Sequence, residues 1–325
     1  MRKPFVLISI LPQTLRPHRL QRLRHPTPLT HLRHYSSTRL TLPPNSWDSH
    51  VHVIGDPSTF PISSSAVYTP HTALLPDLLA TARKLSIPNL VFVQVSAYGL
   101  DNSCQLSALQ SVTPARARAV VEFDPARIDV ETLRKWDVQG VRGVRINLKS
   151  INRELSRSQL QTLIRQYAQA VAPVPHWAID LHVSLSAIPY LEPLIPEFAP
   201  RRLIVDHMGS PPVVTRDMSS VPGWSSLIAL LKKQENFFVK ISAPYRFVDA
   251  GVDREFRSFE PLVREMLGTR GGRGVLWASD WPHTRSDGVD IAPWVERCLE
   301  WCDGDRGVAE RLFRGNAREV WDVRD

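Results

Sequence analysis

Eight short runs rich in Val, Ile and Leu recur along the chain, near residues 47–53, 90–96, 119–123, 141–148, 178–183, 202–208, 237–243 and 274–280. Most are apolar on both faces, the pattern of strands covered on both sides in a parallel sheet. Parallel neighbours need a crossover, and helical patterns fill the gaps. The stretch 74–86 places apolar residues at Leu74, Leu75, Leu78, Leu79, Ala82 and Leu85, and similar stretches occur near 130–136, 158–171, 224–234, 256–267 and 291–301. Eight strands alternating with helices predict an α/β fold, a single-domain (β/α)8 TIM barrel over residues 44–325. The competing architecture is a doubly wound open sheet. It is weakened because no Gly-x-Gly-x-x-Gly follows the first run and no Walker A loop occurs.

The charge balance bears on partners. The 325 residues carry 40 Lys and Arg against 32 Asp and Glu, a formal net charge of +8. Residues 1–40 hold seven Arg, one Lys and no acid; removing those eight leaves 32 basic against 32 acidic residues, so the remainder is formally neutral. The basicity belongs to the leader, which leaves nucleic-acid binding unsupported. Residues 1–43, rich in Arg, Ser, Thr and Leu, have the composition of a mitochondrial transit peptide, and Arg33-His34-Tyr35-Ser36-Ser37 resembles its processing site. The alternative is an untargeted extension on a cytoplasmic protein. The apolar run at 7–11 is too short for a secretory signal, and no run reaches the roughly 18 apolar residues of a membrane span. Three cysteines (Cys104, Cys298 and Cys302) argue against a disulfide framework and for a reducing compartment. The Ser/Thr/Pro-rich loop 56–70, after the first strand, is read as a lid.

Chemistry concentrates at the strand ends. His50 and His52 are two apart in Trp47-Asp48-Ser49-His50-Val51-His52-Val53, so on a strand both imidazoles face one space. His182 ends the fifth run, His207 the sixth and Asp280 the eighth. In a barrel these ends converge on one mouth, where catalysis is found. So many ionisable groups would be costly in a purely structural core.

This constellation resembles the amidohydrolase superfamily over residues 45–322, down to a closing Leu312-Phe313-Arg314-Gly315-Asn316-Ala317. More narrowly, segments 68–71, 93–102, 142–147, 205–209 and 240–246 are similar to the 2-pyrone-4,6-dicarboxylate lactonase group. The resemblance implies hydrolysis of a lactone or ester. Such a reaction needs a base for water, a polarised carbonyl and groups that hold the substrate. Asp280 is the expected base. His50, His52, His182 and His207 are expected to donate to the developing oxyanion or to bind a metal. Arg145 and Arg246 suit bidentate contacts with substrate carboxylates, and Tyr68, Ser96 and Tyr245 can donate further hydrogen bonds. The expected partner is a small anionic, pyrone-like substrate; nothing in the sequence sets the oligomeric state.

Whether a metal is needed has two readings. His50, His52, His182 and Asp280 suit one zinc. Superfamily members with two metals usually carry a bridging Lys at the end of strand four, where this chain has Val144-Arg145-Ile146-Asn147. The lactonase group works without a metal, so the resemblance implies none is required, with one zinc as the alternative. One departure bears on the substrate. The lactonases carry a second Arg six residues after the one matching Arg145, and here that position is Ile151. Lys149 or Arg153 could serve the same carboxylate. The rival functions are a zinc-dependent non-oxidative decarboxylase and a non-catalytic barrel protein. A serine hydrolase is disfavoured by the lack of a Gly-x-Ser-x-Gly elbow.

Overall fold

Eight strands hydrogen-bond in parallel, each to the next in sequence: β1 (Trp47–Val51), β2 (Asn89–Val93), β3 (Ala117–Val121), β4 (Val141–Asn147), β5 (Ala178–His182), β6 (Leu203–Val205), β7 (Phe237–Ile241) and β8 (Val275–Trp277). The ring closes where Val51 bridges Trp281, with the His52 amide donating to Trp281 O at 2.8 Å and the Asp280 amide to His50 O at 3.0 Å. The protein is therefore a (β/α)8 barrel. This computed structural model describes residues 41–248, 252–286 and 288–323. The transit-peptide expectation falls almost wholly on residues 1–40, outside the described residues.

Helices α1 (Leu75–Leu85), α2 (Ser103–Gln110), α3 (Val130–Gln139), α4 (Arg157–Ala170), α5 (Leu194–Phe198), α6 (Trp224–Lys233), α7 (Glu260–Gly268) and α8 (Ala292–Glu300) lie between or after the strands. Their starts are written locally. Asp129 caps α3 by accepting the Thr132 amide, and Ser156 and Gln159 form a reciprocal capping box on α4. Sequence reading missed α2 and α5. The first mixes Ser and Gln through its apolar positions and the second is five residues long with an internal proline, so neither shows a clear stripe. Several strands end earlier than expected, and β6 and β8 are the shortest at three residues each. After β6 the chain turns through left-handed His207 (φ 51°) and Met208 (φ 56°), and after β8 through Asp280 (φ 61°). His and Asp are among the residues that tolerate this region best.

Alternation along the strands stacks the barrel interior in layers. On β5 the same face carries Ala178, Asp180 and His182; on β7 it carries Phe238 and Lys240, continued by Ser242 beyond the strand. The lowest layer is apolar. Trp47, Val91, Val93, Val120, Ala178, Ile204, Phe238 and Leu276 pack with Ala317, Val320 and Trp321 from the C-terminal segment. That segment comprises α9 (Arg306–Glu310), a π-turn and α10 (Asn316–Val320). Asn316 anchors it by donating to Gly272 O (2.8 Å) and Val275 O (2.7 Å). The fully buried Trp321 donates its indole N–H to Ser49 Oγ at 3.4 Å, and its ring lies 5.4 Å from Lys240 Nζ.

The C-terminal helix is thus the floor of the barrel and the apolar support of the charged layer above it. Replacing Trp321 by Ala should cost about 3–5 kcal/mol, the range for emptying a buried large aromatic site. Urea denaturation would read it, and a loss below about 1 kcal/mol would mean the floor is supplied elsewhere.

Candidate active site

At the C-terminal mouth, three atoms close on one point. His50 Nε2 and His52 Nε2 are 3.2 Å apart, and Asp280 Oδ1 lies 3.5 Å from the first and 3.4 Å from the second. The opposite ring nitrogens are already committed. His52 Nδ1 donates to Val93 O at 2.8 Å, and His50 Nδ1 lies 3.1 Å from Asp206 Oδ1. With the proton on Nδ1, each ring turns its Nε2 lone pair toward the other and toward the carboxylate, and Arg145 Nη2 also reaches His50 Nε2 at 3.5 Å. In this tautomer His52 offers a lone pair at the mouth, which suits the metal-ligand alternative expected from sequence and not the donor alternative.

Asp280 is built as a permanent anion. Its Oδ2 accepts the Tyr245 hydroxyl and both Nε (3.0 Å) and Nη2 (2.8 Å) of Arg246. Burial alone would raise its carboxyl, but the Arg246 guanidinium holds it well below the usual carboxylate range. Its Oδ1 is buried without a hydrogen-bond donor among the described residues. Burial, the largest cause in each case, lowers His50 and His182 well below the ordinary imidazole value and His207 to about 4, so these rings are neutral near pH 7.

Three lone-pair atoms with no proton between them repel unless a cation joins them. Ligands about 2.0–2.1 Å from a tetrahedral ion stand about 3.3–3.4 Å from one another, close to the spacing here. These residues therefore fit one divalent cation. His207 Nε2, 3.9 Å from Asp280 Oδ1, is the nearest further donor. His207 Nδ1 is tied to Ser242 Oγ at 2.7 Å. His182, which sequence had grouped with the zinc set, has its ring nitrogens on Asn147 Oδ1 and Ser210 Oγ, both at 3.1 Å, while stacking edge-on against His207.

Beneath the imidazoles lies a buried charge layer that sequence reading missed. Lys240 Nζ contacts Asp180 Oδ2, Asp206 Oδ1 (3.0 Å) and His50 Nδ1 (3.2 Å). Arg145 closes it, its Nη2 3.2 Å from Asp206 Oδ2 and its Nη1 donating to Gln94 O at 2.7 Å. Two carboxylates and two cations balance formally. Asp206 stays ionised, because His50, Lys240 and Arg145 outweigh its burial. Asp180 is pushed up to about 7 by burial and then by the charge of Asp206. The signal was present in the sequence, as a charge inside an apolar run in Ala178-Ile179-Asp180 and Val239-Lys240-Ile241.

The mouth opens on a cavity of about 290 Å³. Tyr68 and Ser96, 3.2 Å apart through their hydroxyls, form part of its wall, and Arg145 and Arg246 also line it. Both arginines, expected to take substrate carboxylates, are occupied by protein carboxylates. Arg246 keeps part of its side chain (28%) exposed, whereas Arg145 is at 4%. Tyr245 is buried against Asp280 and is absent from the cavity wall. Lys149 lines the cavity, while Ile151 and Arg153 do not. Arg285, unread from sequence, lines it too, its guanidinium 4.2 Å above the Tyr68 ring.

A family profile described as Amidohydrolase matches residues 47–323. A 4-sulfomuconolactone hydrolase of Hydrogenophaga intermedia is 27% identical over 254 residues, covering 77% of this chain and 79% of that protein. An L-fucono-1,5-lactonase of Burkholderia ambifaria is 28% identical over 144 residues, 43% of this chain and 48% of that one. A solved structure from Pseudomonas putida, named as a 2-pyrone-4,6-dicarboxylic acid hydrolase, has a TM-score of 0.71 at 26% identity, covering 87% of this chain and all of that one.

The charge layer predicts a specific pattern of loss and rescue. Lys240→Met leaves Asp180 without a cation and Asp206 with Arg145 alone, and should cost about 3–5 kcal/mol. With Lys240 gone the carboxyl pKa values rise, so the loss should be larger at pH 8 than at pH 5. Adding Asp180→Asn should recover part of it. Urea midpoints of the single and double variants at both pH values would check this; equal losses at the two pH values would contradict it.

Proposed function

The chain belongs to the amidohydrolase family, and from that premise we propose that it is a hydrolase that opens a lactone of a small anionic substrate. The observation that carries the reading is the meeting of His50 Nε2, His52 Nε2 and Asp280 Oδ1 within 3.2–3.5 Å, with His52 and Asp280 lining a cavity whose wall also carries four cationic side chains. The lactone-hydrolysing relatives favour it over decarboxylation on the same barrel.

In this reading water attacks the lactone carbonyl carbon, and Asp280 Oδ1, bare and aimed at the imidazoles, accepts the proton. The ring C–O bond then breaks, and that proton passes to the departing oxygen, giving a hydroxy acid. Tyr245 and Arg246 hold Asp280 through its other oxygen, so the accepting lone pairs stay pointed into the site. So acidic a carboxylate is a weak base by itself, because proton transfer is best served by a pKa near the working pH. That weakness supports use of the cation that the donor set fits, held by His50, His52 and Asp280 with His207 or His182 nearby. When bound, a divalent cation supplies Lewis acidity, which polarises a carbonyl and acidifies water. Positive side chains around the cavity attract an anionic substrate, and the hydroxyls of Tyr68 and Ser96 are offered to its ring oxygens. The leader's composition supports delivery to the mitochondrion as part of the same proposal.

A panel of carboxylated and neutral γ- and δ-lactones, followed by ring-opening proton release, tests this reading. Turnover of carboxylated lactones is expected, with Asp280→Asn lowering kcat by about a hundredfold or more, in the range of a lost general base. Exhaustive chelation should suppress turnover and one equivalent of Zn²⁺ should restore it. Full activity in the chelated protein would remove the cation from the proposal, and no turnover of any lactone would remove the reaction.

A further inference from the structure

Four cationic side chains line the reaction cavity: Arg145, Lys149, Arg246 and Arg285. Two are spoken for, Arg145 by Asp206 and Arg246 by Asp280. Among the described residues Lys149 and Arg285 have no acidic partner, and Asp280 is the one acid in the cavity wall. The two lie far apart in the ring. Lys149 follows β4 and Arg285 follows β8, strands four places apart in a closed ring of eight and hence on opposite sides of the mouth.

Arg285 differs from a mobile surface cation. Its backbone sits in the left-handed region (φ 69°), in the same loop as Asp280 and His283, which are also left-handed. Its guanidinium rests on Tyr68, whose hydroxyl is tied to Ser96. A guanidinium held by its face keeps its in-plane N–H fork for an oxyanion, which it binds in two parallel hydrogen bonds, and among the described residues no acid takes that edge. On the other side, the β4 loop offers Lys149 to the cavity, while Ile151 stands off the cavity wall and is 37% exposed.

We propose that Arg285, shelved on Tyr68, is this chain's principal reader of the substrate's anionic group, a carboxylate or sulfonate. The charge recognised therefore lies on the β8–β1 side of the mouth, near Asp280, rather than toward the β4 loop. Lys149 adds long-range attraction without fixing orientation, because an ammonium offers a point charge rather than a fork. The proposal rests on the lactone-hydrolase reading for its substrate and on binding alone for its test.

Two measurements separate them. The first is titration calorimetry of adipate, an unreactive dicarboxylate, against the wild type, Arg285→Ala, Arg285→Lys and Lys149→Ala. Arg285→Ala should weaken binding roughly ten- to hundredfold, the weight of a charge-assisted hydrogen bond. Arg285→Lys should recover only part, and Lys149→Ala should weaken binding less than about threefold. The second is the ratio of kcat/KM for a carboxymethyl butenolide to that for its methyl ester, which should fall by a similar factor in Arg285→Ala. A wild type that binds adipate no better than Arg285→Ala, or a Lys149→Ala loss equal to that of Arg285→Ala, overturns the proposal. If no lactone is turned over, the lactone reading fails while the calorimetry still decides the role of Arg285.

Discussion

The carboxylate of Asp206 is the interaction on which the mouth of this barrel depends. Buried completely, it is held at once by His50, Lys240 and Arg145. A lone buried carboxylate costs several kcal/mol; here three partners on β1, β7 and β4 offset that cost and are themselves positioned by it. The consequence reaches the chemistry directly. By engaging His50 Nδ1, Asp206 selects the tautomer that turns the Nε2 lone pair toward His52 and Asp280, as a carbonyl does for His52.

The same logic explains why the reactive layer is incomplete by itself. His52 Nε2 and Asp280 Oδ1 face each other at 3.4 Å with no donor between them, His50 Nε2 meets them beside the Arg145 guanidinium, and burial keeps His50 and His207 neutral. A set of acceptors this close is stable only around a positive charge, which is why the donor chemistry fits a single cation. Arg145 places a fixed guanidinium between Asp206 and His50, and that positive charge disfavours a further cation beside it.

How much of this was legible beforehand follows from the range of the physics involved. The alternating apolar runs and the i, i+2 histidines are local, and the barrel and the shared direction of His50 and His52 were read from them. Arg145 and Arg246 were correctly brought to the mouth, yet their partners were not foreseen. Whether an inward arginine meets a substrate or Asp206 depends on which residues of other strands reach the same height, and that is set by stagger around the ring. Lys240 announced itself as a charge in an apolar run, but its two carboxylates lie 60 and 34 residues away in the chain. Arg285 gave no signal at all, because its place comes from a left-handed loop and from an aromatic ring contributed by the other side of the barrel seam.

By itself the sequence determined the strand and helix alternation, and with it a parallel barrel whose chemistry must sit at the C-terminal strand ends. It also determined the inventory of that chemistry, four histidines, one aspartate and a surplus of arginine, because residue type and two-residue periodicity are properties of the chain alone. Only the tertiary structure decided which of those groups are reactive and which are structural. Partnership between charges falls off over a few ångströms in a buried site. Distances of that kind are created when eight strands close into a ring and bring residues from opposite ends of the chain to one level.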